Sequence, residues 1–299
     1  MWRLDWLRLS FPESDVDEVT NCLLRSGFQP QASKGKHGYN RGYGFRLDML
    51  SVQPDLFIWW GGEVMQGKAT IEIPATHAEA VFLAVSRLAV PFSVRRLDLC
   101  LDFDGVPFLS GQDAIVHTLE NWPYTGRRPL HHKIDDMGQG TGSTLYVGRR
   151  EGECMIRWYE KGMQMRDPYR QSWCRFEIEL KPSKAELAKL FWLMLKEGRR
   201  GELAASGFSA AFLPFFTGAD TVSKSIDVPP SPPRSFDDRI MSMVTQWGGL
   251  FGEMLQRAGG DRAEVADMIF DAMREKARRE NLARQQAVEG QFPVVEIPY

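Results

Sequence analysis

One short segment places a tyrosine between two positively charged residues. Arg157, Tyr159 and Lys161 lie two positions apart in a stretch whose composition predicts a β-strand. Because the side chains of a strand alternate between its faces, all three are expected on one face. A phenol has a pKa of about 10, so it needs nearby positive charge or a metal to act as a nucleophile. The pattern makes Tyr159 a candidate nucleophile beside two cations that could hold a phosphate, although an isolated motif of this kind more often marks an ordinary surface strand.

Acidic residues alternate in the same way on two other predicted strands. Arg96, Asp98 and Asp102 share one face of a strand whose leucines point to the other, and Arg175 and Glu177 share a face of a later strand. Asp98 and Asp102 are separated by roughly 13 Å along a regular strand, so they could bind one metal only if the strand bends. We therefore expect Asp98 to be the ligand from this strand, with Asp102 less certain.

Tyr159 and Glu177 lie on consecutive predicted strands, which usually pair. A hairpin would bring the two side chains together on one surface. Tyr146 is the rival nucleophile, but Thr144 and Gly148 stand where Tyr159 has its two cationic neighbours. Tyr159 is therefore preferred.

Other kinds of site find little support. His131 and His132 are adjacent, so on a regular strand they would point to opposite faces and could not bind one ion. The sequence has no P-loop, no GxGxxG and no GxSxG motif, which counts against nucleotide binding and serine hydrolysis. Its four cysteines are far apart and form no CxxC pair, which argues against a zinc knuckle and favours a reducing cytoplasm.

The overall charge neither supports nor excludes a nucleic-acid partner. The chain of 299 residues has 37 basic and 39 acidic residues and a net charge of −2, but the basic residues are clustered. Lys34 and Lys36 form one cluster, and Arg149 and Arg150 form another, each in a predicted loop. These four residues and Arg96 are candidate DNA contacts through phosphate, and solvated loops are an equally good interpretation of the two clusters.

The sequence predicts an α+β fold. Strands are expected at 4–10, 56–60, 69–73, 94–103, 144–147, 154–160 and 173–180. Helices are expected after Ser14, Thr76, Ser110 and Ser183, each followed by an acid three residues later.

The chain is predicted to consist of a domain at 1–215, a proline-rich linker at 216–234 and a helical region at 235–299. In the last region we expect helices at 235–247, stopped by Gly248 and Gly249, and at 261–286. The first domain repeats itself loosely, with halves of about 1–90 and 91–215. The segments 56–60 and 69–73 resemble 145–147 and 155–159. We therefore expect two similar βα halves in one saddle-like antiparallel sheet, with the polar face of the second half as the active one.

Four short motifs in order resemble the Rep-trans family of replication initiation factors from rolling-circle plasmids and filamentous phages, which are related to relaxases of mobile elements. They are RLDLCLD at 96–102, GSTLYVGRR at 142–150, RWYEKG at 157–162 and WCRFEIELK at 173–181. The resemblance covers about residues 90–182. Two positions depart from the family pattern, which often has Asp or Asn at Glu160 and usually Ser or Lys at Arg149.

The resemblance implies a site-specific DNA nick that initiates rolling-circle replication. Tyr159 would attack a phosphodiester and become linked to the 5′ phosphate, and the freed 3′ hydroxyl would prime synthesis. Asp98 and Glu177, with Asp102 less certain, would bind Mg²⁺ or Mn²⁺. Arg157, Lys161 and Arg175 would steady the phosphate.

Three alternatives remain open: a relative that binds DNA without cutting it, a relaxase of a conjugative element that uses the same chemistry, and a metal-dependent nuclease that activates water. The expected partner is single-stranded or hairpin origin DNA, in the cytoplasm of a bacterial host, with no membrane. The C-terminal helices could bind origin duplex, self-associate into a homodimer or recruit a host helicase.

Overall fold

The computed structural model describes residues 1–47, 53–218 and 236–289. The chain divides into two compact units, Met1–Ser231 and Pro232–Tyr299. Most of the predicted linker at 216–234 lies outside the described residues, so the predicted boundaries stay a prediction. Among the helices described, none is long and apolar enough to cross a membrane.

The first unit contains ten strands and seven α-helices among its described residues. The strands are β1 (Arg3–Pro12), β2 (Gln29–Lys34), β3 (Arg41–Arg46), β4 (Leu56–Trp60), β5 (Lys68–Pro74), β6 (Ser93–Phe103), β7 (His131–Ile134), β8 (Thr144–Gly148), β9 (Cys154–Glu160) and β10 (Cys174–Leu180). The helices are α1 (Val16–Arg25), α2 (Ala75–Val85), α3 (Phe108–Glu120), α4 (Lys161–Met165), α5 (Ala185–Lys196), α6 (Arg200–Ala204) and α7 (Leu213–Thr217).

All ten strands form one antiparallel sheet in the order β2-β3-β4-β5-β1-β6-β10-β9-β8-β7. The predicted α+β class with an antiparallel sheet and flanking helices is confirmed. Counting outward from the central β1–β6 pair gives β5, β4, β3 and β2 on one side and β10, β9, β8 and β7 on the other. This order matches β4 and β5 with β9 and β10. The sequence comparison instead matched them with the segments of β8 and β9, so the details of the repeat stay a prediction.

One face of the sheet is apolar and is covered by helices. Leu97, Leu99, Ile156 and Ile178 alternate along the second-half strands and are fully buried in a single core, which α1, α2, α3 and α5 also contribute to. Burial of apolar surface on this side stabilises the sheet and fixes its register, because a slip of one residue would turn the apolar set to the other face. The opposite face of β6, β9 and β10 consequently carries Asp98, Arg157, Tyr159 and Glu177.

Three strands lack the pattern that identifies a strand in the sequence. β2, β3 and β7 were not predicted, and β2 and β7 are the edge strands of the sheet. β3 contains two glycines and β2 is largely exposed, so neither has the apolar alternation that marks the others. The predicted helices α1, α2, α3 and α5 are present, but no side chain caps them by a hydrogen bond. Ser183, expected to cap α5, instead donates its hydroxyl to Glu153.

The second unit contains two described helices, α8 (Phe236–Arg257) and α9 (Arg262–Glu289). The predicted stop at Gly248 and Gly249 is wrong, since α8 continues for two more turns beyond them. Gly248 and Gly249 each weaken the helix by about 1 kcal/mol, which the rest of the helix evidently offsets. Met243, Val244 and Trp247, which lie at helical spacing along α8, are exposed.

Candidate active site on the polar face of the second half

The register of β6, β10 and β9 brings the predicted acids and the tyrosine together. Glu177 on β10 lies opposite Cys100 on β6 and opposite Arg157 on β9. Asp98 on β6 lies two pairs further along, opposite Glu179, and Tyr159 on β9 lies opposite Arg175. The alternation of side chains in the sequence therefore places them on a single polar surface, as predicted.

Two arginines bind the three carboxylates of this surface. Arg96 donates to both oxygens of Asp98, from Nε at 2.8 Å and from Nη2 at 2.5 Å. Arg157 Nη2 donates to Asp98 at 3.0 Å, to Glu179 at 3.4 Å and to Glu177. Asp98, Glu177 and Glu179 are all at least 97% buried, so their charges depend on these arginines for compensation. We call these five residues the Asp98 cluster.

Burial changes the acidity of the two predicted metal ligands. It raises the pKa of Asp98 above its ordinary range, although Arg96 and Arg157 act in the opposite direction. It also raises the pKa of Glu177 to about 8, with the charge of Arg157 opposing and the nearby Asp98 adding to the shift. These acids are therefore much stronger bases than ordinary carboxylates.

Tyr159 is buried and joined to the Asp98 cluster by a hydrogen bond. Its hydroxyl donates to Glu177 Oε2 at 2.9 Å, and the Lys161 ammonium lies 5.7 Å from its ring centre. Burial, and after it the negative charge of Glu177, raises the pKa of Tyr159 above its ordinary value. The phenol is thus oriented by an acceptor but is held in its neutral form.

Lys161 reaches the site from the first turn of α4 and not from the strand itself. Gly162 makes this turn possible, because a Cβ there would lie 1.7 Å from the carbonyl oxygen of Arg170. Burial, followed by the charge of Arg175, lowers the pKa of Lys161. The prediction that Arg157, Tyr159 and Lys161 share one face of a strand is wrong for Lys161, because β9 ends at Glu160, but all three residues line one cavity.

Asp102 and Arg175 belong to a different group of residues. Arg175 Nε donates to Asp102 Oδ1 at 2.7 Å, Trp173 Nε1 donates to the same oxygen at 2.8 Å, and Arg175 also pairs with Asp5. Burial alone would raise the pKa of Asp102, but the hydrogen bond and charge of Arg175 lower it below the ordinary value. The strand does not bring Asp102 to Asp98, so Asp102 lies with an arginine and not with the other predicted metal ligands.

A cavity of about 220 Å³ opens over the Asp98 cluster. Besides the predicted residues, it is lined by Asp5, Trp6, Thr144, Tyr146 and Gln164. Sequence reasoning missed Asp5 and Trp6, which a register shift in β1 between Leu4 and Trp6 places here. The repeated Arg-Leu-Asp triplets at 3–5 and 96–98 were a usable signal for Asp5.

The rival tyrosine lines the same cavity. Tyr146 lies opposite Arg157 in the β8–β9 pairing, and its ring stacks on that of His132 at 4.8 Å. It is half-buried, whereas Tyr159 is 6% exposed. Accessibility therefore favours Tyr146 as the nucleophile, whereas contact with the acids favours Tyr159.

The oxygen donors of the Asp98 cluster suit a hard divalent cation. Mg²⁺ is usually bound by one or two protein carboxylates and completed by substrate phosphate and water. Asp98 Oδ2 and Glu177 Oε1 both face Arg157 Nη2, so a cation could bind between them only if this side chain withdrew. Within the described residues, no group of three or more His, Cys, Asp and Glu could hold a metal. The residues fit a two-carboxylate site of this kind, and they do not fit a site made wholly by the protein.

The predicted DNA contacts outside the cluster are exposed. Lys34 ends β2 and Lys36 follows it, while Arg149 and Arg150 follow β8. Arg96 differs from these four, because it is bound to Asp98 and its side chain is 23% exposed.

Comparison with known proteins identifies the class of fold first. A solved structure, the rolling circle replication initiator protein from Geobacillus stearothermophilus, is 23% identical, with a TM-score of 0.51 over 68% of this chain and 82% of that chain. At this level of identity the similarity concerns the fold. No curated protein matches the chain significantly.

A family model matches part of the sequence. Residues 111–225 match the model of the Rep_trans family, described as replication initiation factor. The resemblance to Rep-trans replication initiation factors predicted from the four motifs is therefore confirmed. The matched segment contains Tyr159 and Glu177 but begins after Asp98.

Proposed function

We propose that this protein nicks and rejoins one strand of DNA to initiate rolling-circle replication, with Tyr159 as the nucleophile. The observation that supports this most is the 2.9 Å hydrogen bond from the Tyr159 hydroxyl to Glu177, inside the segment that matches replication initiation factors. The partner is single-stranded or hairpin origin DNA.

Glu177 would have a different task at each oxygen. Oε2 accepts the hydrogen bond of the phenol, and a carboxylate with a pKa of about 8 is suited to take its proton. Tyr159 Oη would then bond to the phosphorus, the bond from phosphorus to the 3′ oxygen would break, and that oxygen would take up a proton as the 3′ hydroxyl. The 5′ phosphate would stay on Tyr159, and the reverse reaction would rejoin the strand.

The remaining residues would bind and orient the phosphate. Asp98 Oδ2 and Glu177 Oε1 would hold Mg²⁺ or Mn²⁺, which supplies positive charge to the phosphoryl oxygens when bound. Arg157, displaced from the two carboxylates, would be free to donate to the phosphate, and Lys161 would approach it from α4. Arg175, which pairs with both Asp102 and Asp5, would hold β10 in position opposite Tyr159.

The decisive experiment is a search for a covalent adduct. The full chain is incubated with labelled single-stranded DNA from its own replicon and Mn²⁺, and the products are separated in SDS. We expect a labelled protein band that Tyr159→Phe abolishes and Tyr146→Phe retains. An adduct mapped to Tyr146 would contradict the assignment of the nucleophile while preserving the reaction.

A second candidate function, DNA binding without cleavage, is favoured by the burial of Tyr159 and by Arg157 between the acids. It predicts binding with no adduct under any metal condition. Cleavage that persists in Tyr159→Phe but is lost in Asp98→Asn would instead indicate a nuclease that activates water. Relaxase activity, a helicase partner, a homodimer and a cytoplasmic location stay predictions.

A further inference from the structure

A second cavity, of about 490 Å³, lies on the polar face beside the first half of the sheet. Its size is within the range of small-molecule binding pockets. The residues that line it are Arg8, His37, Tyr39, Met65, Thr70, Arg95, Lys181, Pro182 and Ser183. These include three arginine or lysine side chains and no carboxylate, whereas the cavity over the Asp98 cluster is lined by three acids.

A β-bulge at the centre of the sheet builds one wall of this cavity. Arg8 on β1 pairs with Arg96, but the next residue, Leu9, pairs with Val94, so Arg95 is an extra residue in β6. A bulge redirects a side chain and is common beside functional sites. As a result, Arg96 lines the cavity of the Asp98 cluster, whereas its neighbour Arg95 lines the second cavity. The two cavities therefore adjoin across a single strand pair.

Two arginines in this wall have donors without partners. Arg95 is exposed, and its guanidinium forms no hydrogen bond or ion pair with the side chain or backbone of another described residue. Arg8 Nη2 pairs with Glu72, but Arg8 Nε is buried and has no hydrogen-bond partner in the described structure. Lys181 is different, because its ammonium already contacts Glu179 and the carbonyl of Arg150. An anion between Arg8 and Arg95 would satisfy donors that are otherwise unpaired.

A tyrosine faces the two arginines. Tyr39 lies in the loop between β2 and β3, is half-buried, and lines the cavity together with Thr70. Burial, and next the positive charge of Arg8, lowers the pKa of His37 in the same loop, which is further evidence of a positive environment. An aromatic ring beside two guanidinium groups is the combination that binds a base and its phosphate in single-stranded nucleic acids.

We propose that this second cavity binds single-stranded DNA, with Arg8 and Arg95 on a backbone phosphate and Tyr39 against an adjacent base. The inference rests on the proposed function in taking single-stranded DNA as the substrate. It adds that the strand passes from the Asp98 cluster over the β1–β6 pair onto the first half of the sheet. A single strand is favoured over duplex because a stacked base must be unpaired.

The test measures binding without cleavage. A fluorescent oligothymidylate is titrated with the full chain in EDTA at several salt concentrations. We expect Arg95→Gln to weaken binding roughly tenfold, because a charge-assisted hydrogen bond is lost. The slope of log affinity against log salt should fall in magnitude by about 0.7, the value for one phosphate contact on a single strand.

The matched control is Arg25→Gln, which changes an exposed arginine on α1, a helix on the apolar side of the sheet. It should leave both the affinity and the salt slope nearly unchanged. Equal losses in the two variants would mean that only net charge matters, and this would overturn the proposal.

Tyr39 gives a signature of a different kind. Tyr39→Leu should weaken binding roughly tenfold at an unchanged salt slope, because stacking is lost without a phosphate contact. Tyr39→Phe should retain most of the affinity, which separates stacking by the ring from any contact of the hydroxyl. If Phe fails as badly as Leu, the role of Tyr39 is to hold its loop, and stacking is refuted.

Inorganic phosphate is the competing ligand for this cavity. If it displaced the oligonucleotide at an equal concentration of phosphate groups, the cavity would be a site for free phosphate and the proposal would fail. Failure of the proposed function is distinguishable, because it would remove the adduct while leaving the dependence of binding on Arg95. If the wild-type protein forms the adduct but Arg95→Gln binds DNA as tightly as the wild type, the proposed function stands and only the second DNA site is refuted.

Discussion

Glu72 in the first half of the sheet and Glu177 in the second occupy matching places with different neighbours. Glu72 lies opposite Arg8 on the central strand and Phe57 on the outer one, and Glu177 lies opposite Cys100 and Arg157. Trp59 pairs with Thr70, two residues before Glu72, and Tyr159 pairs with Arg175, two residues before Glu177. When the halves are aligned on the two glutamates, Trp59 therefore occupies the position of Tyr159.

The first-half position is filled by stacked aromatic rings. Trp59 is 2% exposed and stacks on Phe57 at 5.2 Å, with Gly42 below it, where a Cβ would lie 2.6 Å from the indole. The second-half position instead holds a phenol bound to an acid. One sheet architecture thus provides an aromatic and basic surface in one half and a cluster of compensated acids in the other. We infer that binding and chemistry are divided between the halves.

The largest effect is expected at the tyrosine. Tyr159→Phe removes only the hydroxyl, and the loss of a nucleophile should reduce adduct formation at least ~10³-fold. Trp59→Phe, its counterpart in the first half, should leave the adduct yield per bound DNA nearly intact. Both are measured by quantifying the SDS-resistant band. Equal losses in the two variants would contradict a division of tasks between the halves.

The two halves should also differ in what their acids contribute to stability. Asp98→Ala removes the carboxylate that Arg96 and Arg157 share and leaves them only Glu177 and Glu179, so it should lower the free energy of unfolding by about 3–5 kcal/mol. Glu72→Ala removes the partner of one arginine and should cost about 1–3 kcal/mol. Urea denaturation checks both, with Asp104→Ala, an exposed acid, as a control expected within about 1 kcal/mol of wild type. A larger loss of unfolding free energy in Glu72→Ala than in Asp98→Ala would contradict the expected difference between the halves.

The pH dependence of stability tests the acid cluster directly. Glu177 has a pKa of about 8 in the folded chain and of about 4.3 when unfolded, so between these values the folded chain binds more protons. Stability from this group is complete below the unfolded value and is lost as the pH rises through 8. Between about pH 5 and 8, the window set by these pKa values, the free energy of unfolding should therefore fall less steeply in Glu177→Gln than in the wild type. Both proteins are measured in EDTA. An unchanged slope would show that Glu177 does not titrate in this range.

The smallest effect is expected on the surface of the first half. The Lys36 ammonium lies 5.8 Å from the centre of the Trp59 ring. Lys36→Gln should therefore lower the free energy of unfolding by about 0.5–1 kcal/mol, the typical value of an exposed cation–π contact. Thermal unfolding followed by tryptophan fluorescence would measure it, and no change would place Lys36 in solvent.

The sequence predicted the bounds of a strand well where that strand is apolar on one side only. β4 and β9 begin and end at the predicted residues, and β1, β5, β6, β8 and β10 differ from prediction by one or two residues at an end. The helical capping motifs located four helices but misassigned their caps. Edge strands were missed because their backbone is held by a neighbouring strand and not by an apolar face, which leaves no periodic signal.

The sequence by itself determined that Asp98, Tyr159 and Glu177 lie on one polar face, because alternation along a strand is a local property. Tertiary structure alone decided that Arg157 stands between the two acids and that Asp102 pairs with Arg175. It also decided that a bulge directs Arg95 away from Arg96. Arg175 also pairs with Asp5, which is 170 residues away in the chain. Their charges depend on burial, which only the assembled sheet provides.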